Sequence, residues 1–587
     1  MGPPVGRAAT GAVTVVVAQE GTVTAAPPGV RQWVYLGEDA AWPLEAARGA
    51  LEALERLPTG SALAATAERL RTPYLDWIAE LGVANDSFEW WSSQLAAKNV
   101  YTFLFQRLCA LAVAIDLLRD DLLVICSSAA LVDAVADAAR AAGLQTTARR
   151  GGADRDRAVR DAGFGVLNAL PRRRAAQPGQ ASASADTLLV TWVDGRSFDA
   201  DGTYRDPHLG PLGDLLRDRG QDIALLARIL PSAPYRETAA RLAASTERVY
   251  LPEAFLTAAD RRRCWKRARS FDPVIPQDAH VAGVPAARLA RELVTHQRIS
   301  HAEALSYGPL FAHLAASGLR PARLVFPWEG HAWETAMTAA ARRHLPGTEV
   351  IAYDNLNFSR FALSLYPGAA ELDVRPLPDR VVTNGPTFAR VLGEQGFPPE
   401  RIRAGCALRH AHLSAGEGAE PAAVGDERFV LAAGSIDAAQ TIEMVQTAHA
   451  AFGDDLLVKL HPVSDIARIR AAVSTPVTFT DRPIDELLAR ARAMIYTYSV
   501  VPYEALAAGV PPIHFVSQTL LDLDQLDPTP DVRWIAASPQ ELGEALAAAE
   551  LSASDPGWPA RSRAVVRDAL TPPSDACISA FLEPLAT

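Results

Sequence analysis

Short apolar runs recur along the chain, most of them ending at glycine, proline or a small polar residue. The stretches at 31–36 (RQWVYL), 121–127 (DLLVICS), 187–192 (TLLVTW) and 222–230 read as strands. Helical spacing of apolar positions fills 43–57, 61–70, 100–118 and 129–142. Strands at 323–327 (RLVFP), 349–353 (EVIAY) and 379–383 (DRVVT) continue the series, and a helix runs to about His344. Beyond residue 385 the rhythm is cleaner. Strands at 428–433, 455–460, 477–480, 493–498 and 511–515 alternate with helices at 437–451, 465–472, 484–491 and 502–508, the second of these capped by Ser464. Apolar strands separated by helices predict an α/β chain with parallel, doubly wound sheets. The aromatic stretches around Trp77, Trp90 and Trp91 read as core.

Length and composition then set the domains. A chain of 587 residues exceeds one ordinary core of roughly 100–200 residues. The expected division is a flexible Gly/Pro/Ala/Thr-rich tail over 1–30, an N-terminal Rossmann-like domain with helical insertions over 31–384, and a second Rossmann-like domain over 385–555. A C-terminal helix over 556–587 would pack back on the first domain. The stretch 171–186 (PRRRAAQPGQASASAD) reads as a low-complexity loop. The net charge of −11 argues against a nucleic-acid partner. One basic stretch, 261–269, reads as a solvated helix face, with contact to an anionic lipid or acceptor as its sharper alternative. The five cysteines are far apart and lack metal-ligand spacing. There is neither a signal-peptide pattern nor a run of roughly 18 apolar residues. A cytoplasmic protein is expected, with room for peripheral attachment to the inner membrane.

The candidate chemistry lies at strand ends, because ligands of open α/β sheets sit outside the carboxyl ends of the strands. Three ends should converge in the second domain: Gly434-Ser435, Lys459-Leu460-His461-Pro462 and Thr497-Tyr498-Ser499. They offer a glycine turn with free backbone N–H groups, a cationic or hydrogen-bonding pair, and a hydroxyl at a helix N-terminus, all suited to phosphate. By itself Ser499 reads as a plain N-cap; beside His461, phosphate binding is the better reading. Glu504, just over a turn further on, could accept both hydroxyls of a ribose, or simply face solvent.

The segments KLHP (459–462) and YTYSVVPYEALAAGVPPI (496–513) resemble the donor-domain signature of GT-B glycosyltransferases. The His-Pro and Ser pairing is similar to that of bacterial sialyltransferases, polysialyltransferases and Kdo transferases, which use CMP-activated ulosonic acids. The stretches WWSSQLAAKN (90–99), TWVDGRSF (191–198), FPWEGHAWE (326–334) and VVTNG…GCALRH (381–410) resemble bacterial surface-carbohydrate biosynthesis proteins associated with nonulosonic acids such as pseudaminic acid. The resemblance implies a GT-B fold, two Rossmann-like domains with parallel sheets facing each other across a cleft. It implies a CMP-sugar donor, a glycan or lipid-linked glycan acceptor, and CMP phosphate contacts from His461 and Ser499. It also makes Asp194 similar to the catalytic aspartate of some sialyltransferases, with Arg196 intervening in the pattern.

Acceptor activation needs a base. Asp194 and Glu329 both stand just past strands and are weighed equally; their plainer roles are a turn former and a helix-N-terminal acid. Arg196 could hold a donor carboxylate bidentately, and His331 and Glu334 could contact the acceptor. Neither a cofactor nor a metal is required, and Asp522-Leu523-Asp524 reads as a solvated loop. The alternatives are a UDP- or GDP-sugar transferase, a CDP-alcohol phosphotransferase of the same fold, and a non-catalytic sugar-nucleotide-binding scaffold.

Overall fold

The computed structural model describes residues 14–151, 185–231, 233–355, 359–414, 428–473 and 475–583. The loop expected over 171–186 lies outside these residues, except for its last two. The chain is α/β, and its described strands form three parallel sheets and one small hairpin.

The first sheet holds β1 (Val15–Gln19), β2 (Gln32–Leu36), β3 (Glu55–Arg56), β4 (Leu122–Cys126) and β5 (Thr146–Arg149), in the order β3-β2-β4-β1-β5. The second holds β6 (Thr187–Val193), β7 (Ile223–Ile229), β8 (Val249–Tyr250), β11 (Arg323–Pro327), β12 (Glu349–Tyr353), β13 (Arg380–Thr383) and β14 (Ile402–Ala404). The hairpin of β9 (His280–Val281) and β10 (Val284–Pro285) stands between β8 and β11 in the chain. The third sheet holds β15 (Phe429–Ala433), β16 (Leu456–Lys459), β17 (Thr478–Thr480), β18 (Ala491–Tyr496), β19 (Pro512–Phe515) and β20 (Trp534–Ala536).

Strand order locates the binding crevices. The third sheet runs β17-β16-β15-β18-β19-β20, which is the Rossmann order 3-2-1-4-5-6. Read from its other edge, the second sheet runs β8-β7-β6-β11-β12-β13-β14, the same order with one strand added. Each sheet therefore reverses direction once, between β6 and β11 in one and between β15 and β18 in the other. These reversals are the places where ligands of such sheets bind. The carboxyl ends of the two sheets meet: Arg196, after β6, acts electrostatically on His461, after β16, and Glu329, after β11, acts on Tyr498, after β18. This is the GT-B arrangement of two Rossmann-like sheets across a cleft, with a third sheet added at the N-terminal end.

Several expected boundaries need correction. The second half of the supposed tail is not a tail: Val15–Gln19 is buried along its whole length and lies between β4 and β5. The supposed single domain over 31–384 contains two sheets: β2 pairs with β3 and β4, and β1 joins β4 to β5, so the first 150 residues form a sheet of their own. The boundary at 385 is too early. The helix Pro386–Glu394 leads into β14, which pairs with β13, so the third sheet begins only at Phe429. Asp465, not Ser464, caps the helix Ile466–Ala472 by accepting from the Arg468 N–H at 3.0 Å. The C-terminal segment returns to the second sheet, where the Phe581 ring lies tilted 5.7 Å from Tyr353 and the Leu582 carbonyl accepts from Arg323 at 2.7 Å.

Burial explains why these runs become strands. β4 and β12 have no alternation of polar positions because helices cover both faces, and Leu122–Cys126 is wholly buried. The long helix Gly60–Ala84 and the helix Leu104–Leu117 pack on each other beside the first sheet. Between them the chain makes a tight passage, with Lys98 and Phe103 both in the left-handed region at φ 55° and 58°. That conformation is uncommon for non-glycine residues and is held only where surrounding contacts fix it. Lys98 is fixed by a 2.5 Å ion pair with Glu371, both side chains fully buried, and Arg375 adds a contact of 3.3 Å to the same carboxylate. Among the described residues no helix is long and apolar enough to cross a membrane.

Candidate active site

The loops after β6 and β11 flank the reversal of the second sheet, and they carry both expected bases. Their surroundings differ. The Asp194 carboxylate caps the turn Gly195–Ser197, accepting from the Arg196 N–H at 2.8 Å. It also takes the Arg196 guanidinium in a fork, at 3.1 Å and 2.7 Å on one oxygen. Burial pushes this carboxyl up, but the hydrogen bonds from Arg196 outweigh it and hold it below its ordinary value. Asp194 is thus committed to shaping its loop and aiming Arg196, which is itself more than half exposed at 55%.

Glu329 sits in the buried loop between β11 and the helix Ala332–His344. His331 contacts its carboxylate at 3.2 Å through Nε2, and Asn99 lies 3.0 Å from His331 Nδ1. The Asn99 side-chain oxygen accepts from the Tyr101 N–H at 2.9 Å. That bond fixes the amide so that its NH₂ faces His331, which makes Nδ1 the acceptor and leaves the ring proton on Nε2, donated to Glu329. Burial pushes Glu329 up, yet the His331 hydrogen bond and charge, with His208 and Arg409, bring it below its ordinary value. Burial lowers His331, but its bond to Glu329 and the charge of Glu334 raise it overall.

Glu334 lies beneath this loop, 2% exposed, and accepts from the N–H groups of Gly330 at 2.8 Å and Glu329 at 3.2 Å. It holds the loop from below rather than facing the cleft. Burial pushes its carboxyl up to about 8. Gly330 has φ 75°, and a Cβ there would meet the Ser364 side chain at 2.3 Å, so glycine is required at this turn. Behind His331, Trp192 stands 6.4 Å away, and Arg228 stacks on Trp192 and Trp333 at 4.4 Å and 4.6 Å.

Two side chains absent from the sequence-based set join this group, the guanidinium of Arg409 and the imidazole of His208, which burial favours in its neutral form. Arg409 and His208 both act electrostatically on Glu329, and Arg196 acts on both of them. Neither His208 nitrogen has a hydrogen-bond partner among the described residues. Arg409 belongs to the quoted GCALRH stretch and Asn99 to WWSSQLAAKN, so four separate sequence segments converge here. His208 had no signal beyond being a histidine.

Across the cleft the donor candidates divide. Burial lowers the His461 ring, and the charge of Arg196 lowers it further. Its Nδ1 accepts from the Val463 N–H at 3.3 Å, which leaves Nε2 for a ligand. Lys459 ends β16 half-buried, and Pro462 is exposed beside it. β18 stops at Tyr496, two residues short of the expected end. Thr497 is therefore buried at the reversal, its hydroxyl without a partner among the described residues. Ser499 is not the formal cap of the helix Val501–Ala507; its hydroxyl accepts from the Val501 N–H at 3.2 Å. Glu504 is half-buried, raised by burial and by nearby Asp485.

The glycine turn does not offer what was expected of it. The Gly434 N–H donates to the Lys459 carbonyl at 2.9 Å and is not free. A Cβ at Gly434 would lie 3.0 Å from the Thr441 methyl, so packing explains the glycine. The Ser435 hydroxyl is fully buried and binds the Asp437 backbone, while its N–H donates to Thr441 at 3.1 Å. Both residues shape the loop that presents Ile436 and Asp437. Asp522 and Asp524 are not a solvated loop either. Asp524 is 1% exposed, accepts from the Tyr496 hydroxyl at 2.7 Å and pairs with Arg533, and Asp522 contacts His514 at 2.7 Å. Among the described residues no group of three or more His, Cys, Asp or Glu side chains could hold a metal ion.

Tyr101 and Tyr498 close the site from opposite sides, their hydroxyls interacting; burial raises Tyr498 well above its ordinary value, and Tyr101 and Glu329 add to it. A narrow cavity of about 30 Å³ joins Asn99, Tyr101, Tyr498 and Glu329.

No protein-family model matches the chain, and no curated protein matches it. Solved structures similar to it include CalG4, the calicheamicin glycosyltransferase, at 16% identity and TM-score 0.38, covering 68% of this chain and 100% of that one. The glycotransferase of kitacinnamycin is similar at 15% identity and TM-score 0.37, covering 66% and 95%. UDP-GlcNAc 2-epimerase from Neisseria meningitidis, bound to UDP-GlcNAc, is similar at 11% identity and TM-score 0.35, covering 65% and 99%. These scores are low, and the likenesses bear on neither activity nor substrate.

Proposed function

We propose that the protein is a glycosyltransferase that moves an ulosonic acid from a CMP-linked donor to a glycan or lipid-linked glycan acceptor, with Glu329 as the base. The observation that carries this reading is the meeting of the two strand-order reversals. Arg196, Arg409 and His208 on one side and His461 on the other place cationic and hydrogen-bonding groups around one cleft, in a chain whose net charge is −11. Such a cluster suits a donor bearing both a phosphate and a sugar carboxylate.

In this reading His461, Ser499 and the buried Thr497 hydroxyl receive the phosphate, Lys459 adds charge, and Glu504 takes the ribose. Arg196 and Arg409 hold the sugar carboxylate. Glu329, kept ionised and oriented by His331 and Asn99, accepts the proton of the acceptor hydroxyl. Asp194 aims Arg196 rather than acting as the base, and Glu334 fixes the Glu329 loop. Fixed donors around a single leaving phosphate supply the stabilisation that a metal supplies to diphosphate donors. Isothermal titration with CMP, CDP, UDP and GDP tests the donor: CMP should bind best, and binding of UDP or GDP with no response to CMP would refute it.

A further inference from the structure

A second, larger cavity of about 250 Å³ opens beside the Glu329 site. Its walls come from all three parts of the molecule. Phe103 and Phe105 follow the strained passage beside the first sheet, Phe361 and Leu363 come from the second, and Leu521 and Leu523 come from the loop after β19 in the third. Tyr101 and Ile436 stand at its surface, 57% and 53% exposed. Asn99, Tyr101, Tyr498 and Leu523 also line the narrow cavity that reaches Glu329, so the two spaces adjoin.

The polar groups in these walls are largely spent within the protein. Lys98 is held by Glu371 at 2.5 Å. The Gln106 amide donates to the Gly37 carbonyl at 3.2 Å and accepts from the Leu521 N–H at 3.5 Å. The Asp437 carboxylate caps its helix at the Gln440 N–H, 2.8 Å away. A nucleobase or sugar needs several free hydrogen-bonding groups in its pocket, whereas an apolar group needs none. His461, Ser499 and Glu504 do not line this space.

We propose that this cavity is an acceptor subsite that takes an apolar group carried by the acceptor next to the hydroxyl that reacts. The proposal rests on the transferase reading above and adds the chemical class of the acceptor. Because a cavity of about 150 Å³ holds benzene, this one has room for about ten carbons, a short isoprenoid or a bicyclic aromatic.

The test uses the full chain with geraniol and 2-naphthol as separate probes, followed by saturation-transfer NMR, alongside a CMP titration. Two variants are compared: Leu521→Trp, which fills the cavity, and Ile436→Glu, a surface change at its mouth that leaves the fold intact. At least one probe should bind the wild type and bind each variant about tenfold more weakly, as loss of buried apolar area requires, while CMP affinity stays level. Binding of geraniol alone would assign an isoprenoid, and of naphthol alone an aromatic group. Failure of both probes to bind, or unchanged binding to Ile436→Glu, would overturn the subsite. Probe binding that responds to the variants without any CMP binding would remove the transferase reading and leave the apolar site standing.

Discussion

Glu329 and Asp194 flank the same strand-order reversal, yet their neighbours give them different work. The Asp194 carboxylate is fully engaged by Arg196, whereas Glu329 is held by one histidine bond and opens to the narrow cavity. Glu329→Gln should lower turnover by about 10²–10⁴-fold and leave CMP affinity unchanged, in line with loss of a general base. Asp194→Asn should chiefly raise the donor KM, because it frees Arg196; equal losses of turnover in the two variants would contradict this division. Asn99→Leu removes the amide that keeps His331 Nδ1 an acceptor, so the pH–rate profile of that variant should move while its CMP affinity does not. The positions of Glu329, Asp194, His461 and Ser499 just past strands were legible, because each follows a short apolar run that ends at small or polar residues. Arg409 and His208 were not, since their approach to Glu329 depends on how loops far apart in sequence fold over the sheet. Gly434 misled for a related reason: a glycine at a strand end looks the same whether it frees an N–H or makes room for Thr441.

At the scale of elements, the strand positions followed from apolar runs, and β11 and β12 match the expected residues throughout. The misplaced elements are those in which composition competed with pattern. β1 is a run of valines inside a segment rich in glycine, proline and alanine, and those residues made it look like a tail. The helix expected over 43–57 is cut to Trp42–Ala47, and Gly49 follows its last residues. The loop between β11 and its helix depends on an element-level feature, the buried Glu334 carboxyl. An acid raised from 4.5 to about 8 gives stability that is complete below its unfolded value and is lost as pH rises through its folded value. Between about pH 4.5 and 8, then, the thermal midpoint of the wild type should fall relative to Glu334→Gln, which keeps an uncharged side chain of similar shape. Parallel pH dependence of the two proteins would show that Glu334 is ionised in the fold.

For the whole molecule, the second and third sheets were legible and the first was not, because β1, which joins β4 to β5 within it, was read as part of a tail. That sheet matters to the site through the passage from Lys98 to Phe103, which brings Asn99 to His331 and Tyr101 to Tyr498. The cleft itself could be inferred only as a general consequence of the fold; which groups face each other across it is set by the packing of the sheets. In the proposed reading Arg196 and His461, on different sheets, serve one ligand. The most direct measurement is a double-mutant cycle on affinity for an intact CMP-linked ulosonic acid, which carries both the phosphate and the carboxylate, using Arg196→Ala, His461→Ala and the pair. His461→Ala alone should cost about 1.5–3 kcal/mol, the range for a hydrogen bond to a charged group. The two substitutions should be non-additive by about 1 kcal/mol, as for residues sharing one partner. Strict additivity, or donor binding indifferent to both, would contradict a single site spanning the two sheets.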